Sequence, residues 1–163
     1  MEKRVSKDNY YLDIAQTVAE RSTCMRRKFG SIIVKNDVII STGYNGAPRG
    51  RKNCDDIGFC MRTHLNIPRG ERYELCRSVH SEANAIINAA RDQMLGATLY
   101  MTCVNPSDGS LYESTNNCTM CKRMILNAGI ERVVIRDTAE DYRVIRVADW
   151  VEDDDSLSGV FGY

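Results

Sequence analysis

Apolar residues at Tyr11, Ile14, Ala15, Val18 and Ala19 recur at helical intervals, and the spacing predicts a helix over 8–22. Two apolar runs, SIIVK (31–35) and VIISTGY (38–44), flank the pair Asn36-Asp37. Asn and Asp tolerate the left-handed conformation that a two-residue hairpin loop needs, so these runs read as a β-hairpin. The periodicity then lapses. Residues 45–78 are rich in Gly, Arg, Asn and Cys and hold two prolines. A connection of that length in a compact domain is usually functional or stapled. Order returns at SEANAIINAAR (81–91), an alanine-rich helix expected to turn Ile86 and Ile87 toward the core and to close at Arg91. ATLYMTC (97–103) reads as a strand, 104–117 as a polar connection and CTMCKRMILNAG (118–129) as a helix stopped by Gly129. ERVVIR (131–136) is a strand again; YRVIRVADWV fits strand or helix, and EDDD (152–155) reads as solvated surface. Strands alternating with helices after a hairpin indicate an α/β fold, a mixed sheet with helices on its faces.

Size and charge narrow the classes. A chain of 163 residues fits one domain over 1–163, with 45–78 as an insertion. Lys+Arg and Asp+Glu are both 22, for a formal net charge of zero, which gives little to attract a polynucleotide or a membrane surface. No apolar run approaches the ~20 residues of a membrane span. The start, MEKRVSKDNYYLD, has no apolar signal region, so the expected compartment is the reducing cytoplasm. Seven cysteines, at 24, 54, 60, 76, 103, 118 and 121, are therefore read as ligands, catalysts or buried thiols rather than disulfides.

Cys118 and Cys121 form a C-x-x-C at a helix start. Residues three apart share a helical face, and the helix N-terminus favours thiolates. His80 stands at another helix start. Together they supply three zinc ligands and leave a fourth position open, the arrangement of a catalytic zinc. Glu82, two residues past His80, is better placed beside that open position than on the ion. A carboxylate there can take a proton from water on the zinc and pass it to a substrate.

HSE…NCTMC resembles the zinc nucleobase-deaminase signature H-x-E…P-C-x-x-C. The blocks RSTCMRRKFGSIIVKNDVIISTGYNGAPRG, HSEANAIINAAR and CKRMILNAGIERVVI resemble the deoxycytidylate (dCMP) deaminase family over about residues 10–137. Two positions depart from its pattern: Ser81 replaces the usual alanine, and Asn117 stands in place of the signature proline. The resemblance implies a three-layer cytidine-deaminase-like fold, a mixed five-stranded sheet with helices on both faces. It implies zinc-dependent hydrolysis of dCMP to dUMP and ammonia, in pyrimidine nucleotide metabolism and dTTP supply, with Glu82 carrying protons to ring N3 and to the leaving amine. Arg26 is then a phosphate contact and Asn45 a sugar or base contact, while Arg91 is placed to guard the pocket. Homo-oligomers and dCTP or dTTP effectors are also implied. At the family position of Cys24 a second, structural zinc can bind. The polar 45–78 segment lacks apolar residues to fold alone, so a closed site of Cys24, Cys54, Cys60 and Cys76 is expected, with His64 a rival for one place. Cys103, in an apolar strand, reads as core. Two other readings are a deaminase of another nucleoside or base, and a non-catalytic zinc-stapled binding protein. Glu82 opposes the second, because a binder needs no proton carrier beside an open zinc.

Overall fold

The computed structural model describes residues 3–159. Helix α1 (Lys7–Ala19) starts at Ser6, whose side chain accepts from the amide of Asn9. Strands β1 (Lys28–Lys35) and β2 (Val38–Tyr44) follow as the expected hairpin; Asn36 and Asp37 both have positive φ, at 52° and 62°. After the 45–78 segment come α4 (Ser81–Ile87) and α5 (Arg91–Met94), numbered after two short helices in that segment, α2 (Cys54–Ile57) and α3 (Met61–His64). The chain continues through β3 (Thr98–Val104), α6 (Thr119–Ala128), β4 (Arg132–Arg136), β5 (Tyr142–Arg146) and α7 (Val147–Glu152). The sheet order is β2-β1-β3-β4-β5, with β3 and β4 parallel and the other pairs antiparallel. This is the mixed five-stranded sheet expected.

The pleat sorts the core into two layers. On β1, Ile32 and Val34 face α1 and meet Tyr11, Leu12 and Ala15; Ile33 faces the other side. There Leu99, Met101, Val133 and Ile135 pack with Ala85 of α4, Ile125 of α6 and Val147 of α7. Ser31 shares the side of Ile33, which brings its hydroxyl to α4. Strand β1 also begins three residues earlier than the apolar run indicated. Gly30 lies in that extension, where a Cβ would fall 2.0 Å from the carbonyl oxygen of Ala15. The glycine that breaks the sequence pattern is what lets α1 cross the sheet closely.

Three local expectations change. The helix expected over 81–91 ends at Ile87, with Asn88 as its C-cap; the side-chain amides of Asn84 and Asn88 donate to the carbonyls of Tyr44 and Thr42 on β2. Ile87 is consequently 71% exposed and does not enter the core, whereas Ile86 packs against it. YRVIRVADWV divides: its first half pairs with β4 and its second is α7. The segment from 47 to 78 holds α2, α3 and a 3₁₀ turn at Tyr73–Leu75, and its buried residues are Cys54 and Arg62. Arg62 organises it from inside, donating to the carbonyls of Pro68 and Glu71 and lying 4.3 Å over the Tyr73 ring.

Candidate metal centre

His80 is the N-cap of α4 and Cys118 the N-cap of α6, with Cys121 in the first turn of α6. The two helices pack side by side, so both N-terminal ends open at one place. The sulfurs of Cys118 and Cys121 each lie 3.4 Å from His80 Nδ1. A tetrahedral zinc with Zn–S of about 2.3 Å and Zn–N of about 2.0 Å separates nitrogen and sulfur donors by about 3.5 Å. The donor set and its spacing therefore fit zinc. Among the described residues, these three are the group of His, Cys, Asp and Glu ligand atoms lying within 4.8 Å of one another.

The electrostatics show how tightly the donors interact. The hydrogen bond from Cys121, against the cost of burial and helped by His80, lowers Cys118 to about 5. The same bond and burial push Cys121 up. Burial opposes charge on His80, yet bonds to Cys118 and Cys76 outweigh it and raise His80 to about 11.

Glu82 is 4% exposed and lines the same cavity as His80 and Cys118. Ser81 Oγ donates to its Oε1 at 3.0 Å, and Asn117 Nδ2 donates to its Oε2 at 3.0 Å. Neither donor was identified as a contact from sequence, although both positions stood out as departures from the family pattern. The turn that delivers Asn117 and Cys118 is tied to the sheet. Arg143 on β5 pairs through two nitrogens with Asp137, at 2.9 and 3.1 Å, and also donates to Asn116 Oδ1 and to the Thr115 carbonyl. Asp137 in turn accepts from the amide of Ser114, which has a positive φ of 58°.

The cavity beside this centre measures about 270 Å³. Arg26, Arg27, Arg62 and Arg69 all line it, with Tyr73 and Tyr112. Tyr73 meets the His80 ring edge-on at 5.6 Å, and Arg27 lies 4.5 Å over the Tyr112 ring. These side chains come from connections whose polar residues carry no periodic signal, so only Arg26 among them was singled out from sequence. Asn45 also lines the cavity but is 5% exposed, and it braces the 22–29 loop. Its Oδ1 accepts from Ser22 Oγ and the Phe29 amide, and its Nδ2 donates to the Arg27 carbonyl. Three of the four bonds a carboxamide can make are thereby committed to protein.

Arg91 lies elsewhere. With α4 ended at Ile87, it opens α5 and donates to the Asn127 carbonyl at the end of α6, in a groove with Met94 and Met120. It satisfies a helix C-terminal carbonyl and lies outside the lining of this chain's cavity.

The four remaining thiols outside the core do not converge into a cage. Cys24, Cys60 and Cys76 line the cavity, while Cys54 is buried and accepts from Arg77 at 3.8 Å. Cys60, despite burial, is lowered by the amide and hydroxyl of Thr63; Cys76, despite burial, is lowered by its bond to His80. Burial raises Cys24, which has Cys76 and Cys54 as electrostatic neighbours. His64 stacks on Phe59 at 5.2 Å instead of joining them. Cys103 is fully buried, and burial pushes its thiol up to about 12, as befits core.

Residues 5–137 match the family described as the cytidine and deoxycytidylate deaminase zinc-binding region. Deoxycytidylate deaminase of Mycobacterium phage D29 is 38% identical over 131 residues, covering 78% of this chain and 91% of its own. That of Schizosaccharomyces pombe is 34% identical over 131 residues, covering 80% of this chain, which spans only 37% of that relative's length. The crystal structure of dCMP deaminase from the cyanophage S-TIM5 in complex with dCMP and dUMP matches with a TM-score of 0.56. Its identity is 26%, with 84% of this chain and 85% of that one covered.

Proposed function

The chain belongs to the cytidine and deoxycytidylate deaminase family, and on that premise we propose that it hydrolyses dCMP to dUMP and ammonia. The observation that carries the substrate is the clustering of Arg26, Arg27 and Arg69 around one cavity, beside the internally bonded Arg62, in a chain of zero net charge. Guanidinium groups suit a phosphate, and the same cavity is lined by Glu82 and the metal ligands His80 and Cys118.

His80, Cys118 and Cys121 would hold zinc, which supplies a Lewis acid that brings the pKa of water toward about 7. Glu82 takes a proton from the attacking water and delivers it to ring N3, which prepares C4 for attack. It then takes the proton of the new C4 hydroxyl and passes it to the departing amine, so that the C4 carbonyl forms as the C–N bond breaks and ammonia leaves. Water and dCMP are consumed, dUMP and ammonia released. Arg26 is the phosphate contact in this reading, and Asn45 acts mainly by holding the loop that presents Arg26.

The experiment is ammonia release from dCMP, dCTP, cytidine and deoxycytidine, with zinc content measured in parallel. The monophosphate is the preferred substrate, and Glu82→Gln retains zinc while turnover vanishes. Loss of zinc with activity retained would remove the assigned role of Glu82, and silence toward every nucleotide would favour a zinc-stapled binder. The proposal extends to a homo-oligomer in the cytoplasm, subject to dCTP or dTTP. It extends also to a structural zinc at Cys24, Cys54, Cys60 and Cys76, whose sulfurs must draw together to make the cage. Near two zinc ions per chain supports that second site, and near one ends it.

A further inference from the structure

The two positions at which the chain departs from the pattern of the family it resembles converge on one carboxylate. Ser81 binds one oxygen of Glu82 and Asn117 binds the other, each at 3.0 Å. We infer that Ser81 and Asn117 are positioning residues that clamp Glu82 from both sides and register it against the metal ligands. The inference rests on the deaminase reading and adds to it how the proton carrier is held.

The hydrogens can be assigned along the network. Ser81 has one hydroxyl hydrogen, and it points to Glu82. The 2.8 Å contact between Ser31 and Ser81 must then be donated by Ser31. Ser31 on β1 is fully buried, so the chain of bonds runs from the middle of the sheet to the carboxylate. On the other side Asn117 is 1% exposed, and its Oδ1 has no partner among the described residues. Leaving a buried carbonyl oxygen unpaired is costly. Turning the amide over would set that oxygen against the Glu82 carboxylate, so the N–H faces Glu82.

The terminal torsion of a glutamate is broad and roughly two-fold, so packing alone leaves the carboxylate free to rotate. One donor on each oxygen stops that rotation and leaves further lone pairs for water and substrate. The donors are also adjacent in sequence to metal ligands: Ser81 follows His80, and Asn117 precedes Cys118. The same two backbone segments therefore place the ion and the proton carrier. Positional error in such groups is expensive, since misplacement by about 1 Å can cost about 100-fold in rate.

The test compares Ser81→Ala, Asn117→Ala and Asn117→Asp with the parent as zinc-replete protein. Alanine at 81 fits the space and favours the helix, so this variant reports even where a change at buried Asn117 prevents folding. Each alanine variant should lose roughly tenfold or more in kcat on dCMP, with KM within about twofold and zinc content unchanged. Asn117→Asp, which sets an acceptor against Glu82, should be worse than Asn117→Ala. A second readout needs no turnover: the side-chain amide resonances of Asn117 should shift in Glu82→Gln. Folded, zinc-replete Ser81→Ala with kcat within twofold of the parent would overturn the clamp, as would unmoved Asn117 amide resonances. A parent inactive on dCMP whose Asn117 amide still responds to Glu82→Gln would instead remove the substrate reading and leave the clamp standing.

Discussion

Asp37 occupies the left-handed second position of the β1–β2 turn and is held by two donors, Lys7 Nζ at 2.8 Å and Tyr11 Oη at 2.5 Å. The bond from Lys7, then that from Tyr11, keeps its carboxyl below the usual aspartate range. The matching bond to Asp37 pushes Tyr11 up to about 12. A carboxyl whose folded pKa is depressed stabilises above its unfolded value of about 4 and loses that contribution as pH falls through the folded value. Asp37→Asn keeps the turn, since Asn tolerates the same backbone. Its melting temperature should fall below the parent's at pH 7, and the gap should close as both are melted at progressively lower pH toward 2. At this scale His80, Glu82, Cys118 and Cys121 were legible because their chemistry sits in two short motifs. The contacts of Ser81 with Ser31, and of Asn117 with Glu82, join residues 50 and 35 positions apart. No local spacing encodes such a meeting; it follows from the pleat of β1 and the packing of α4 on it.

Helix α4 is seated by a single glycine. A Cβ on Gly43 of β2 would lie 2.3 Å from the amide of Ala85 and 2.4 Å from the carbonyl oxygen of Ser81. Both are backbone atoms of α4, so nothing flexible can yield. Gly43→Ala must lift the helix from the sheet, at about 1–3 kcal/mol for a moderate overpacking strain. Because His80 and Glu82 sit at the start of α4, zinc affinity should fall with stability, as seen in urea titration and metal analysis of the same preparation. The hairpin and α6 were legible because turn chemistry and a glycine stop are local signals: Gly129 has the expected positive φ of 78°. The length of α4 was not, since its C-cap is Asn88, whose side chain bonds across to Thr42 on β2, and no glycine or proline marks the stop. YRVIRVADWV carried both signals because it is both elements, strand where β4 is available and helix beyond its end.

Across the whole molecule the metal ligands join α4 to α6, two elements otherwise linked through side-chain packing. A ligand that binds only the folded state raises its stability. Chelation should therefore lower the melting temperature, and zinc readdition should restore it together with ammonia release. An unchanged melting temperature after verified metal removal would show that packing alone holds the two helices. The walls of the cavity come largely from outside the sheet. The excursion that supplies Arg62, Arg69 and Tyr73 leaves and returns at one point, where Gly46 and Val79 exchange backbone hydrogen bonds of 3.2 and 2.7 Å. Val79 directly precedes His80. The pinch fixes where the excursion begins and ends on the frame, while Tyr73 and Cys76 within it reach back to His80, the ligand that follows. One closed loop of chain thus works as a wall on one side and a buttress on the other, bounding the cavity and bracing the imidazole at the same time.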